Sequence, residues 1–393
     1  MNILFHHRTQ GHGVERVHIL GMVSGFMQAG HTVEIVSPPG VTVSPNNGTE
    51  TVSHQEIMSP WKKVVRFLPG LFFELMELFY NGVSFRRLAR QMKKTRFDMI
   101  YERYAFLHFS GALLAARHRI PLYLELNFTS MTPLYRKRSR LIGPIQKALE
   151  RRIFSAADGL IVVSTSLKEK LIEDGYAPHR ILVTPNAVDS QFLEEQHESV
   201  RKELKLDSKR VIGFVGGFYP WHGVDMLIQI LPDLVREVPN VAALLIGDGP
   251  LRLSLQKQVE TMGLTDCVRF TGQIAHAILP RYVAAFDVGV LPDSNDYASP
   301  MKVYEYMAMG KPVIAPKLAP LEEGIIDGKV GLLFCPQNKK ALAEAIITLL
   351  TDEAKRHEMG EAARCHVRQN HTWKNNAAAV LAMRERQQEG GRE

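Results

Sequence analysis

Cysteine is scarce in this 393-residue chain, with only Cys267, Cys335 and Cys365. They form no CxxC pair and have no histidine at metal-ligand spacing. A zinc module and a disulfide framework are therefore excluded, and reduced, partly buried thiols in a cytoplasmic protein are expected. No run reaches the roughly 18 apolar residues of a transmembrane helix. The segment Met1–His6 is apolar from the start, without a basic-then-apolar leader pattern, which again points to the cytoplasm. The phosphate loop GxxxxGK(S/T) is missing, which argues against nucleotide hydrolysis of that type. The loop Gln10–Arg16 lacks the third glycine of a dinucleotide fingerprint, and no acidic residue closes the next strand near Ser37, so a dehydrogenase fits poorly. Repeats and low-complexity tracts are absent.

What is present is an ordinary globular composition, 45% hydrophobic and 23% charged. The length exceeds what one core usually holds, so two domains are expected. The net charge of +7 is unevenly spread. Residues 1–185 hold 24 basic and 14 acidic side chains (+10), and residues 186–393 hold 24 and 27 (−3). A basic half suits a membrane surface, a phosphorylated acceptor or nucleic acid, or is simply a solvated face. Nucleic acid is the poorest of these, because no recognisable module accompanies the charge.

Short β-branched runs alternate with helical patterns, the signature of βαβ units and parallel sheets. Strands are expected at Asn2–His6, Thr32–Ser37, Met99–Glu102, Leu122–Leu126, Leu160–Ser164 and Ile181–Thr184. A second series follows at Val211–Val215, Val241–Ile246, Val268–Thr271, Val288–Leu291 and Pro312–Ala315. The fold class is α/β: two Rossmann-like domains, residues 1–185 and 209–370, joined by a polar linker over 186–208 and facing a cleft. A helix over 371–386 is expected to cross back to the first domain, with Gln387–Glu393 loose.

In open α/β sheets ligands bind beyond the carboxyl ends of the strands, so the strand-to-helix loops carry the information. Ser299 suits an N-cap and Pro300 the first helical position. Gly310 is placed to end that helix, and Pro312 prevents its continuation. Lys302 adds charge in the first turn and Glu305 lies on the same face. This is either a diphosphate-and-ribose site or a Lys–Glu surface pair, and the pattern leaves both open. The strand Val211–Val215 ends in Gly216-Gly217, followed by the aromatic-rich loop Phe218-Tyr219-Pro220-Trp221-His222-Gly223. Gly247-Asp248-Gly249-Pro250 reads as a well-made turn. Gln273 and Ile274 follow another strand ending in glycine, where exposed backbone could read a base edge. In the first half, Glu102-Arg103 and Glu125-Leu126-Asn127 close neighbouring strands, where they face an acceptor or pair with each other.

Together and in this order, these loops resemble the family 4 glycosyltransferases, which have GT-B architecture. The resemblance begins at Gly11-His12-Gly13-Val14-Glu15-Arg16 and runs through Val183–Asp189, Gly216–Gly223 and Gly247–Pro250 to Ser299–Ala315. It implies a nucleotide-diphospho-sugar donor on the second domain, an acceptor on the first, retention of anomeric configuration, and no metal or other cofactor. It also implies a donor-binding set of Gly13, Gly216, Gly217, His222, Gln273, Ile274, Ser299, Met301, Lys302 and Glu305. Within that set Lys302 takes the diphosphate, Glu305 the ribose, and Gln273-Ile274 the base. Glu102, Arg103, Glu125 and Asn127 form the acceptor side, and Lys302, His222 and Glu125 are the catalytic candidates. The chain departs from the commonest pattern at four places. Gly217 and His222 stand where Arg and Lys often contact the diphosphate, Tyr297 replaces the first of two glutamates, and Glu125-Leu126-Asn127 replaces a His-Asp strand end.

Residues 62–96 carry nine basic and two acidic side chains around the apolar segment Leu68–Tyr80, and Arg136, Lys137, Arg138 and Arg140 form a second cluster. Such segments suit the headgroup layer of an anionic membrane, or else form a solvated helix face. The expected activity is transfer of a sugar to a glycan, lipid-linked or small-molecule acceptor, in surface polysaccharide or glycoconjugate synthesis. The location would be the cytoplasm or the inner face of the membrane. Nucleotide-sugar epimerase or hydrolase chemistry on the same fold, and a non-catalytic lipid- or partner-binding subunit, are the alternatives.

Overall fold

The computed structural model describes residues 1–10, 13–43, 70–132, 143–194 and 197–390. Gly11, His12, Lys62, Lys63, Arg66 and the cluster Arg136, Lys137, Arg138 and Arg140 lie outside the described residues. The chain divides into two compact units, Met1–Thr184 with Lys374–Glu393, and Pro185–Trp373.

The first unit holds β1 (Asn2–His6), β2 (Thr32–Val36), β3 (Met99–Arg103), β4 (Leu122–Leu126), β5 (Gly159–Val162) and β6 (Ile181–Val183). They form one parallel sheet in the order β2-β1-β3-β4-β5-β6. Its helices are α1 (Gly13–Gln28), α2 (Gly70–Lys94), α3 (Ser110–His118), α4 (Gly143–Ala156) and α5 (Thr165–Glu173). All five residues of β4 are buried, which is why the strand reads as a continuous apolar run interrupted only by Glu125.

The second unit contains β7 (Arg210–Val215), β8 (Val241–Ile246), β9 (Val268–Gly272), β10 (Val288–Val290), β11 (Val313–Pro316) and β12 (Gly331–Phe334). Their order is β12-β11-β10-β7-β8-β9, again all parallel. The helices are α6 (Val224–Glu237), α7 (Arg252–Thr261), α8 (Leu279–Ala284), α9 (Met301–Ala308), α10 (Ala319–Glu322), α11 (Lys339–Thr351) and α12 (Glu353–Asn370). A last helix, α13 (Trp373–Gly390), belongs from Lys374 onward to the first unit.

In each sheet the chain starts in the middle, runs to one edge and returns to the other side of its first strand. This makes a switch point between β1 and β3 in one unit and between β7 and β10 in the other. Loops leaving such neighbouring strands in opposite directions open a crevice at the carboxyl edge. The loop after β7 and the segment leading into α9 flank one switch point. His6 and Glu102 stand at the other.

Two expectations need correction. Residues 186–208 are not a free linker: Phe192, Val200 and Leu206 are fully buried in the core of the second unit. The polar composition of that stretch hid three apolar anchors spaced along it. Gln387 is not loose either, because α13 extends past it. Tyr123 donates a hydrogen bond to Gln387 Oε1 at 2.7 Å, and Gln387 Nε2 donates to the Asp158 carbonyl at 2.9 Å. The cysteines are all free, but Cys335 and Cys365 are exposed and only Cys267 is half-buried.

Candidate functional site

In the second unit the β7 and β8 loops lie back to back. The Phe218 amide donates to the Asp248 carbonyl at 2.9 Å, and the Leu251 amide to the Phe218 carbonyl at 3.1 Å. Asp248 caps its own turn, accepting from the Gly249 amide at 2.7 Å and from Arg252 at 3.0 Å. It is a turn residue, as its sequence context indicates.

Lys302 reaches from the first turn of α9 across to the β7 loop. Its Nζ sits over the Phe214 ring, 4.5 Å from the centroid, and a Cβ on Gly216 would lie 2.5 Å from it. Gly216 has φ +145°, so the position needs glycine for its backbone as well as for space. Lys302 as a residue is half-buried, but its Nζ is inaccessible and has no hydrogen-bond partner among the described residues. Burial pulls its pKa down to about 7, and Glu305 offsets this only in part. A buried ammonium without an acceptor is costly unless an anion completes the site.

The start of α9 differs by one residue from expectation. Pro300, not Ser299, occupies the cap position, and no side chain caps the helix. Ser299 is instead drawn toward the preceding loop: its Oγ accepts from the Asn186 amide at 2.9 Å and its carbonyl accepts from Asn186 Nδ2 at 2.5 Å. Those bonds tie the Pro185–Asp189 segment to the start of α9 and leave the helix N-terminus uncapped by any side chain. Met301 is buried beneath it. Gly310, at φ +67°, ends the helix region as expected.

Glu305 is buried and accepts from His276 Nε2 at 3.2 Å. The tautomer follows from Gln191. Its Nε2 donates to the His276 carbonyl at 3.1 Å, which fixes the amide orientation, and also to His276 Nδ1 at 2.7 Å. Nδ1 is therefore the acceptor and Nε2 carries the proton toward Glu305. His276 follows directly on the loop holding Gln273, exposed, and Ile274, half-buried.

His222, which stands where a Lys often contacts the diphosphate, does not replace that charge. Its Nδ1 donates to the Gly217 carbonyl, so the neutral ring presents a bare lone pair at Nε2. Burial and the nearby Lys302 charge lower its pKa to about 4, the bond to Gly217 opposing them. Near pH 7 it is not a cation.

In the first unit Gly13 begins α1 with φ +55°, and a Cβ there would meet nothing within 4 Å among the described residues. Glu102 turns inward, with its carboxylate 2.6 Å from His6 Nδ1. A Cβ on Gly111 would lie 1.9 Å from Glu102 Oε2. Behind it a polar chain continues, from His6 Nε2 to Ser84 Oγ at 3.0 Å, to Ser110 Oγ at 3.0 Å, to His108 Nε2 at 2.9 Å. Glu102 is 1% exposed, so it holds the switch point together rather than facing an acceptor. Glu125, 2% exposed, accepts from Arg103 at 2.7 Å, Asn127 at 2.7 Å and Tyr101 at 3.1 Å, with His18 Nδ1 at 3.5 Å. Burial alone would raise its pKa, but His18, Arg103, Asn127 and Tyr101 together bring it below the usual value. It is a saturated carboxylate, poorly suited to serve as a base. Arg103 and Asn127, bound to it and partly exposed, are the members of this set with access to solvent.

Comparison with known proteins agrees with both halves. The profile of Glycosyltransferase Family 4 matches residues 12–192, and that of Glycosyl transferases group 1 matches residues 195–366. The chain is a family 4 glycosyltransferase of GT-B architecture.

This glycosyltransferase is 25% identical to the alpha-D-kanosaminyltransferase of Streptomyces kanamyceticus over 85% of its own length and 89% of that protein. It is 29% identical to the D-inositol 3-phosphate glycosyltransferase of Corynebacterium urealyticum over 61% of its length, spanning 59% of that protein. HepE of Anabaena in complex with UDP-glucose shares its fold, with a TM-score of 0.70 at 20% identity over 97% and 99% of the two chains. The relatives support an enzyme that uses a nucleotide sugar.

Sequence reasoning missed the contacts that Phe214 makes with Lys302 and that His276, held by Gln191, makes with Glu305. Gln191 and His276 are 85 positions apart and carry no motif. Phe214 reads as one more apolar residue of a buried strand. His276 alone had a usable signal, a histidine just past a glycine-ended strand.

Proposed function

We propose that the enzyme binds a nucleotide-diphospho-sugar on its second unit, with the diphosphate at Lys302 and the start of α9. The ribose then lies at Glu305 and the base near Gln273-Ile274. The single observation that carries this reading is the buried, unpartnered Lys302 Nζ beside the Gly216 turn. A diphosphate supplies the missing acceptor oxygens, and its charge restores the ammonium form. As the bond to the sugar breaks, negative charge gathers on the leaving oxygens, where Lys302 and the free amides of the helix N-terminus stabilise it. Glu125 is held by three hydrogen-bond donors. The leaving diphosphate is the better proton acceptor for the incoming hydroxyl, which fits retention of configuration. The acceptor is a glycan or lipid-linked glycan in surface polysaccharide or glycoconjugate synthesis, met by Arg103 and Asn127.

The test is a thermal-stabilisation screen of UDP-, GDP- and ADP-sugars, since tight binding raises apparent stability by mass action. UDP-glucose is the first probe, because HepE of Anabaena was solved with it bound. Lys302→Ala should weaken the hit at least tenfold, and unchanged affinity overturns the assignment. Donor consumption that needs no acceptor would favour the epimerase or hydrolase reading.

A lipid-linked acceptor is favoured by the inverted polarity of α2. Glu74, Glu77, Asn81 and Ser84 face inward, whereas Phe72, Met76, Phe79 and Val83 face solvent, Phe79 at 79% exposure. The same helix face continues as exposed Arg86, Arg90, Lys93 and Lys94. No helix among the described residues is long and apolar enough to cross a membrane. An apolar stripe running into a basic one suits adsorption to an anionic bilayer. Sedimentation with vesicles containing anionic lipid, but not with neutral vesicles, is expected, and equal binding to both or to neither counts against it.

A further inference from the structure

The departure from the family pattern at Gly217 has a physical occupant. A Cβ there would lie 2.4 Å from Cε2 and 2.6 Å from Cδ2 of Tyr219. The tyrosine ring fills the space that a side chain at position 217 would enter. Tyr219 in turn stacks face to face on Trp221, with centroids 4.7 Å apart and planes 5° from parallel. Pro220 begins the short 3-10 turn Pro220–His222, which holds the two rings on one side of the loop. The loop is closed by Gly223 at φ +64° and braced by the His222 bond to the Gly217 carbonyl. A cation has thus been exchanged for a two-ring aromatic slab, and Trp221, its outer member, is 38% exposed.

Resting on the donor assignment above, we propose that this slab is a sugar subsite, with a pyranose ring packed by its C–H face on Trp221. Three features select that occupant. The indole face is apolar and electron-rich, matching the polarised C–H groups on the less hydroxylated side of a pyranose. The His222 ring meets Trp221 edge-on, with centroids 6.1 Å apart, and its bare Nε2 is an acceptor suited to a sugar hydroxyl. The slab also adjoins the Gly216 turn, where the Lys302 ammonium waits for the phosphate to which the sugar is joined. A lipid chain would leave the His222 acceptor unpaired. The ring is either the donor's own sugar or the terminal sugar of the acceptor. The common requirement is a pyranose.

The experiment uses the full chain, with Trp221→Ala and Trp221→Phe. UDP, GDP and ADP are titrated first, then the nucleotide sugars of whichever nucleotide binds, then glycan acceptors in the transfer assay. Trp221→Ala should leave nucleoside diphosphate affinity within about twofold of wild type. If the donor sugar sits on the slab, the nucleotide-sugar Kd rises about tenfold. If the acceptor does, that Kd is unchanged and the acceptor KM rises about tenfold. Trp221→Phe, which keeps an aromatic face, should recover most of either loss. Tryptophan fluorescence gives a readout apart from turnover, because Trp61 and Trp373 remain in the Trp221→Phe control. A wild-type change on adding sugar-bearing ligands should vanish in that control. Nucleotide sugars and acceptors that bind and react alike in wild type and Trp221→Ala, with no Trp221-dependent fluorescence change, overturn the subsite and leave the donor assignment standing. Loss of nucleoside diphosphate binding in Lys302→Ala and not in Trp221→Ala keeps the two claims separable.

Discussion

Gly216 and Lys302 share one space: a Cβ on the glycine would stand 2.5 Å from the lysine nitrogen. Backbone and charge are therefore coupled at the second unit's switch point, because the strand end must be bare for the ammonium to settle against it. Gly216→Ala should imitate loss of Lys302 function. The methyl displaces Nζ, and φ +145° adds backbone strain of about 1–3 kcal/mol. We expect at least tenfold weaker donor binding by calorimetry, with a lower denaturation midpoint. Donor affinity within twofold of wild type would show that Nζ does not work from this position.

Donor binding should take up a proton. In the free protein Lys302 titrates near 7, because its nitrogen is buried without an acceptor. An adjacent diphosphate favours the charged form and raises that value. Above pH 7 the free lysine is increasingly neutral, so affinity should fall as pH rises, by up to about tenfold per unit. Calorimetry at pH 8 in buffers of different ionisation enthalpy should show uptake approaching one proton in wild type and none in Lys302→Met. Equal uptake in both proteins would locate the titrating group elsewhere.

Ribose discrimination should pass through Glu305 and its support. Gln191 orients His276, and His276 donates to Glu305. Glu305→Ala should abolish most of the preference for a ribonucleoside diphosphate over its 2′,3′-dideoxy form. His276→Ala should reduce that preference by a smaller factor, since it removes positioning and not the contact. The ratio of the two affinities is the measurement, and an undiminished ratio in Glu305→Ala would reject the role.

The same residues show what was legible in the sequence. Asn2–His6, Leu122–Leu126 and Val241–Ile246 are strands with the expected limits, because parallel strands covered on both faces are written as near-continuous apolar runs. β12 was missed: Gly331–Phe334 is four residues long and pairs on one side only. For Lys302 the pattern left a ligand site and a surface pair with Glu305 both open, and the burial of its Nζ is not written in any local spacing. For Glu102 and Glu125 the sequence left acceptor contact and mutual pairing both open, and their burial was not legible. A strand end gives a residue's height in the sheet but not which way its carboxylate turns, and the partners His6 and Arg103 come from other strands. Ser299 was read as a helix cap because nothing local reveals that Asn186, 113 positions away, draws on its hydroxyl.

Glu125→Gln should test the structural reading of the first unit most sharply. If Glu125 were a base or nucleophile, its amide would cost several orders of magnitude in kcat. Instead it anchors Arg103 and Asn127, so we expect kcat within about tenfold of wild type and no change in the acidic limb of the pH profile. Stability should respond more strongly, since breaking a buried ion pair typically costs about 3–5 kcal/mol. The sign of its pH dependence follows from the lowered pKa of Glu125. A carboxylate more acidic in the folded than in the unfolded chain contributes stability above its unfolded pKa. That contribution is lost as pH falls through the folded value. The wild-type protein should therefore lose denaturant resistance below about pH 4.5, and Glu125→Gln should lose less across that interval. A thousandfold fall in kcat with unchanged stability would reverse the assignment and return Glu125 to the chemistry.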